Sequence, residues 1–175
     1  MIHLTTMASP IGPLTIAARG SMVCMLHFGG DQSGPRAMLH RWYGDEPIEL
    51  HADPAGAVTA MRDYFAGSTA ALDGIEVEMH GTPFQKRVWD ALRGVKSGTT
   101  TSYAAIAKAI GRAAAVRAVG AANGANPVAL IVPCHRIIGT NGSLTGYGGG
   151  LERKRWLLAH EGVLLPGAEP LVHKL

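Results

Sequence analysis

The chain has 175 residues, 47% of them hydrophobic, with two cysteines and a formal net charge of +3. That apolar content suits one domain or two small ones and excludes a mainly disordered chain, while two distant cysteines and no Cys/His cluster of finger spacing exclude a disulfide scaffold or zinc module. No apolar run approaches a membrane span, and Met1-Ile2-His3-Leu4-Thr5 lacks the basic start and long apolar core of a signal peptide, so a cytoplasmic protein is expected.

Charge is divided unevenly along the chain. Residues 1–80 hold four Arg and no Lys against nine Asp/Glu, whereas residues 81–175 hold twelve Lys/Arg against four Asp/Glu. A basic half joined to an acidic half suggests a polyanionic partner for the basic half alone, with surface charge for solubility as the alternative that composition leaves open.

In chain order, short β-like runs alternate first with turn signals: Ile2 to Met7, Leu14 to Ala18 and Met22 to Phe28, separated by Ser9-Pro10, Gly12-Pro13 and Arg19-Gly20. The pattern predicts a small antiparallel meander. Gly29 to Pro35 is expected as a flexible loop, and Ala37 to Tyr43 as a short helix. Asp53 before Pro54 is a helix start, a capping side chain followed by proline at the first helical position, with Val58, Met61 and Phe65 on one face and Gly67 as the stop. Ile75 to Met79 alternates again and is expected as a strand. Cys24, between Val23 and Met25, is expected in the core, and His3, His27, His40 and His51 are too scattered to form a site. This half is a supporting α/β-type domain, 1–80.

Near Gly81 the chain turns basic and helical, which sets the boundary of a second domain, 81–165, followed by a tail, 166–175. Thr82-Pro83 with Gln85 predicts a helix whose apolar face is Phe84, Val88, Trp89, Leu92 and Val95. Ser102 is a cap for a helix from Tyr103 to Ile110 that Gly111 ends, and a second helix is predicted over Arg112 to Asn123, stopped by Asn126-Pro127. Two helices joined by a short glycine turn match a helix-turn-helix. The second helix is smooth: Ala118, Gly120 and Ala121 lie among many small side chains. Such a surface suits either close packing inside the protein or close approach to a groove, where Arg112 and Arg117 would contact phosphates or replace a displaced base.

The apolar run Val128 to Val132 is expected as a buried strand or extended segment that Pro133 ends, placing Cys134 at its mouth. Asn141-Gly142 suggests a hairpin or wing, and the glycines at 148–150 open a last helix, Leu151 to Glu161, in which Trp156, Leu157 and Leu158 should pack. Their spacing is neither a dinucleotide fingerprint nor a P-loop, so no nucleotide cofactor is expected. A reactive cysteine needs its thiolate populated, and an imidazole held by a carboxylate does this. His135 adjoins Cys134, and Glu161 supplies the carboxylate if the last helix folds back; whether His135 meets the thiol directly or through water stays open, because neighbours on a strand face opposite ways. The tetrapeptide alone fits a buried structural cysteine better than a reactive one.

The set Asn126-Pro127, Pro133-Cys134-His135-Arg136, Gly146-Tyr147-Gly148-Gly149-Gly150 and Trp156-Leu157-Leu158-Ala159-His160-Glu161, with Ser102-Tyr103 and Arg117-Ala118-Val119-Gly120 upstream, resembles the O6-alkylguanine-DNA alkyltransferases. The resemblance is strong over residues 82 to 162 and weaker in the first half, through Ser9-Pro10-Ile11-Gly12. It implies an α+β chain, with an α/β-type N-terminal domain carrying a small antiparallel sheet and a mainly helical, winged helix-turn-helix-like C-terminal domain. It implies a suicide methyltransferase of DNA repair: Cys134 takes the alkyl group from O6-alkylguanine in double-stranded DNA, with O4-alkylthymine as a second candidate lesion, in one irreversible turnover.

Carried over by position, Tyr103 turns the damaged nucleotide and protonates guanine N3, and Arg117 fills the gap in the duplex. Asn126, His135 and Glu161 activate the thiol through water; Ala118, Gly120, Ala121 and Asn123, with Arg112, face DNA; and Tyr147, Gly148, Pro133 and Arg136 bound the guanine pocket. A monomer without cofactor or membrane partner is expected. Some relatives bind zinc in the first half, but no matching ligand set occurs here, and Asn123-Gly124-Ala125 stands where some carry a further arginine. The alternative functions are a damage-sensing DNA-binding protein that transfers nothing and, more remotely, a cysteine hydrolase.

Overall fold

Short, largely apolar runs build the first three strands of the computed structural model, which describes residues 1–165; the expected tail at 166–175 lies outside them. The chain forms two units, Met1–Thr82 with Pro127–Ile131, and Pro83–Asn126 with Val132 onward. In the first unit, β1 (Ile2–Met7), β2 (Leu14–Arg19) and β3 (Met22–Phe28) form the predicted meander, in register from Ile2 opposite Arg19 to Met7 opposite Leu14. A fourth strand, β4 (Ile48–Leu50), pairs parallel to β1, giving the order β3-β2-β1-β4. The sheet is therefore mixed instead of wholly antiparallel. Three residues, two of them exposed, are too short a run to announce a strand.

Helix α1 (Ser33–Tyr43) begins earlier than expected, because the Asp31 carboxylate accepts from Ser33 N at 2.9 Å and turns the chain into the helix. Its Leu39 joins Ile2, Leu4, Ala17, Cys24 and Met25 in the core, where the Cys24 thiol donates to Ala17 O at 3.5 Å. Before α2 (Ala57–Phe65), Pro54–Gly56 make a 3-10 turn, and Asp53 reaches across it to accept from Val58 N at 2.7 Å. Tyr64, not Phe65, completes the buried face with Val58 and Met61. The expected strand at 75–79 reduces to one bridge, Val23 to Val77.

The apolar run at 128–132 is not a strand. Val128 bridges Leu26, then Leu130 takes φ 69, and Ile131 N donates to Ala129 O at 2.8 Å, closing a three-residue turn. A leucine in the left-handed region is uncommon and holds only where its surroundings fix it; here the side chain is 1% exposed.

In the second unit, α3 (Pro83–Arg93) buries Val88, Trp89 and Leu92, and the Trp89 indole donates to Ala122 O at 2.8 Å. After β5 (Thr101–Ser102), Ser102 caps α4 (Tyr103–Ala109) by accepting from Ala105 N at 3.1 Å. The next helix, α5 (Val116–Gly124), starts at Val116, not at Arg112. Gly111 at φ 72 lets Arg112 N fold back on Ala107 O at 2.8 Å, so Arg112 completes the end of α4 before a new helix can begin. A 3-10 turn, Cys134–Arg136, leads into β6 (Ile137–Ile138), which pairs parallel to β5. The strand partner thus lies far upstream and is not a hairpin neighbour; the Asn141-Gly142 step forms a tight turn closed by Gly139 N to Ser143 O. Helix α6 (Leu151–His160) follows, with Leu157 and Leu158 buried and Trp156 half-buried, stacked on His160.

Candidate active site

Proline sets the local shape of the site. Pro133, at φ −82 and ψ 64, centres an inverse γ-turn in which Cys134 N donates to Val132 O at 2.8 Å, and Arg136 N then donates to Pro133 O at 3.0 Å. Two asparagines, Asn123 in the last turn of α5 and Asn126 just beyond it, hold this bend. Asn126 Nδ2 donates to Val132 O at 2.8 Å and Asn123 Nδ2 to Cys134 O at 3.4 Å. Asn123, expected to face DNA, is 4% exposed and turned inward. The small residues around it let the helix come close to the bend, and a buried amide must use its donors there.

Cys134 is 5% exposed and His135 fully buried. The imidazole Nε2 lies 2.8 Å from Glu161 Oε1, and the Arg136 guanidinium grips the same carboxylate through Nε to Oε2 and Nη2 to Oε1, both at 2.9 Å, while its Nη1 donates to Val95 O at 2.6 Å. Burial raises the Glu161 carboxyl, but the hydrogen bonds and charges of His135 and Arg136 outweigh it and hold it at about 2. Glu161 is therefore an anion that only accepts, so His135 Nε2 carries the proton it donates. Burial also lowers the imidazole against the pull of Glu161, which favours the neutral ring. Its Nδ1 then presents a lone pair, and that atom is buried with no hydrogen-bond partner among the described residues. The direct Cys134–His135 hydrogen bond left open by the sequence is thus not made. Burial likewise raises the Cys134 thiol, while Asn126, the charge of Lys154 and Tyr147 act to lower it.

Tyr103, half-buried at the start of α4, accepts from Thr145 Oγ1 at 3.0 Å. A Cβ on Gly120 would lie 3.8 Å from the Tyr103 ring, so glycine there leaves room beside the phenol. Arg112, Arg117, Ala118 and Ala121 are exposed; Pro133 and Arg136 are buried, Tyr147 half-buried and Gly148 exposed. The structure therefore gathers Cys134, His135, Arg136, Asn126 and Glu161, and sets Arg112, Arg117, Ala118 and Ala121 at the surface of the helix pair.

Two residues escaped the sequence reading. Thr145 bonds Tyr103, and its carbonyl accepts from Lys154 Nζ at 3.0 Å. Lys154 is 0% exposed. Its signal was available: Lys154, Leu157, Leu158 and Glu161 fall at i, i+3, i+4 and i+7, one face of α6. No group of three or more His, Cys, Asp or Glu among the described residues is placed to hold a metal, and no helix there is long and apolar enough to cross a membrane.

Two family models match: the 6-O-methylguanine DNA methyltransferase ribonuclease-like domain at residues 2–79 and the DNA binding domain of the same methyltransferases at residues 83–163. A methylated-DNA–protein-cysteine methyltransferase of Mycobacterium bovis is 49% identical over 166 residues, covering 92% of this chain and 93% of its own. Among solved structures, the Mycobacterium tuberculosis O6-methylguanine methyltransferase superposes with TM-score 0.78 at 42% identity, over 96% of this chain and 97% of that one. The M. tuberculosis OGT in complex with DNA gives TM-score 0.74 at 45% identity, over 91% and 92%.

Proposed function

Since the chain belongs to the 6-O-methylguanine DNA methyltransferase family, we propose that Cys134 is the residue through which it performs that family's reaction. The protein is a DNA repair methyltransferase that moves the alkyl group of O6-alkylguanine in DNA onto its own cysteine, and its partner is DNA carrying that lesion. The observation that supports the assignment to Cys134 is the bend at Pro133, which carries a barely exposed thiol next in the chain to an imidazole whose Nε2 donates to Glu161.

The steps follow from the atoms. His135 Nδ1 takes the thiol proton through a bridging water, and Glu161 stabilises the imidazolium as it forms. The thiolate attacks the alkyl carbon; the S–C bond forms as the C–O6 bond breaks, and the electron pair passes to guanine. Tyr103 protonates the leaving base at N3, a general-acid step that typically contributes about 10²- to 10⁴-fold. Thr145 donating to the phenol oxygen leaves the phenol's own hydrogen free to point at substrate. With the proton returned to Tyr103, the net change is one alkyl group gained by sulfur and one proton gained by guanine. Flipping the target costs a few kcal/mol and is easiest for a mispaired base. Arg117, exposed on α5, fills the stack it leaves, and the small residues Ala118 and Ala121 let that helix approach. Tyr147 and Gly148 wall the pocket. A cytoplasmic site of action is supported by two free cysteines and by DNA as substrate.

Incubation with duplex DNA containing O6-methylguanine should add the mass of one CH2 to the intact protein, once per chain, and Cys134→Ser should abolish it. Mass gained by the serine variant would refute the assignment. Binding without any mass gain would replace it with the damage-sensing alternative.

A further inference from the structure

Lys154 is a buried ionisable group of the second unit that takes no part in the steps above. It is 0% exposed, yet among the described residues its ammonium bonds only a neutral carbonyl, Thr145 O at 3.0 Å. A buried ammonium is strongly unfavourable unless an anion balances it. Charge within the site can be accounted for group by group. Glu161 is an anion, but it is shared between Arg136, which it neutralises, and the neutral His135. Tyr103 and Tyr147 are phenols. The remaining group able to become an anion is Cys134, on the 3-10 turn that packs against α6. With the thiol protonated, the Lys154 charge has no anion of its own; the thiolate supplies one, whether the proton rests on His135 or leaves the site.

We propose that Lys154 is a positioning residue that holds a buried positive charge for the Cys134 thiolate and, by gripping the Thr145 carbonyl, ties the nucleophile to the Tyr103 acid. This rests on Cys134 being the acceptor. Desolvation brings the Lys154 ammonium down to about 8 while the charge of Cys134 acts in the opposite sense, and Lys154 in turn acts to lower the thiol. The coupling is reciprocal, as linkage requires. The same chain of bonds runs on from Thr145 Oγ1 to the Tyr103 oxygen, so one lysine sets both ends of the reaction: the charge that makes sulfur nucleophilic and the loop that fixes the proton donor.

The test is the pH midpoint of Cys134 reactivity in the full chain, read with iodoacetamide and resolved by peptide mass, for the wild type, Lys154→Met and Lys154→Arg. Methionine keeps the volume and removes the charge. An opposite charge at close range moves a titration by roughly 1 to 3 units, so the midpoint should rise by about that much in Lys154→Met and return most of the way in Lys154→Arg. A lysine that merely braces the loop would slow transfer from O6-benzylguanine without moving the midpoint, and an unmoved midpoint overturns the proposal. A second measurement needs no substitution. In wild-type protein labelled at lysine Cε, the Lys154 NMR titration should shift to lower pH once Cys134 is methylated, because a thioether offers no anion; an unchanged titration also overturns it. If the midpoint moves as expected but O6-methylguanine DNA transfers nothing, the function fails while the lysine–cysteine coupling stands.

Discussion

Glu161→Gln tests the framework of the site most directly. Glu161, with its side chain fully buried, accepts one hydrogen bond from His135 and two from Arg136. Glutamine preserves the shape and one acceptor, but it removes the anion that balances the Arg136 guanidinium and turns a donor toward a group that can only donate. Breaking a buried pair in this way costs about 3 to 5 kcal/mol. A second route gives a similar figure. The carboxyl falls from 4.5 to about 2, and at 1.36 kcal/mol per pH unit that shift contributes about 3 kcal/mol of stability. Because the folded-state value is depressed, the contribution is complete above pH 4.5 and is lost as pH falls toward 2. Paired urea titrations followed by tryptophan fluorescence should therefore show the variant about 3 kcal/mol less stable at pH 7, with the gap closing below pH 4.5. Other carboxylates titrate in both proteins and cancel in the difference. A gap under about 1 kcal/mol at neutral pH, or one that stays constant down to pH 3, would refute the ionised, doubly gripped carboxylate.

Tyr103→Phe should slow alkyl transfer by roughly 10²-fold or more while changing DNA affinity far less; equal losses in single-turnover rate and in binding would remove the acid role. Arg117→Ala should impair action on duplex lesions much more than on free O6-benzylguanine, and equal impairment would deny Arg117 a place in the duplex. Gly120→Ala should leave the fold intact and raise thermal stability, by up to about 1 kcal/mol from helix propensity, since the added methyl meets the Tyr103 ring at an ordinary 3.8 Å. A lowered melting temperature would show that the ring cannot tolerate it.

Much of the local structure was legible in the sequence. The three strands of the meander, the Thr82-Pro83 helix start and the Ser102 cap each depend on residues within a few positions of one another. Several features were not. β4 is too short to carry a period, and the run at 128–132 has a strand's composition but is broken at Leu130, whose positive φ is held by burial. Asn123 is polar in a helix of small residues, which suits an exposed face as well as a buried one; the carbonyl of Cys134 decides it. Lys154 sat in plain view at an apolar-face position, and a lysine there is ordinarily assigned to solvent through its flexible stem.

By itself the sequence determined the chemistry available to this protein: a thiol placed after a proline, an imidazole next to it, a carboxylate and a phenol at fixed separations, and a basic half to bring them to DNA. Local backbone rules sufficed for that, because proline, glycine and capping side chains act over a few residues. What the tertiary structure alone decided is which protons and charges face one another. His135 gives its Nε2 hydrogen to Glu161 and keeps a buried Nδ1 with no hydrogen-bond partner among the described residues, and Thr145 stands between Lys154 and Tyr103. Those assignments depend on burial and on partners 9 to 42 residues apart, since a charge acquires its meaning only from what excludes water around it.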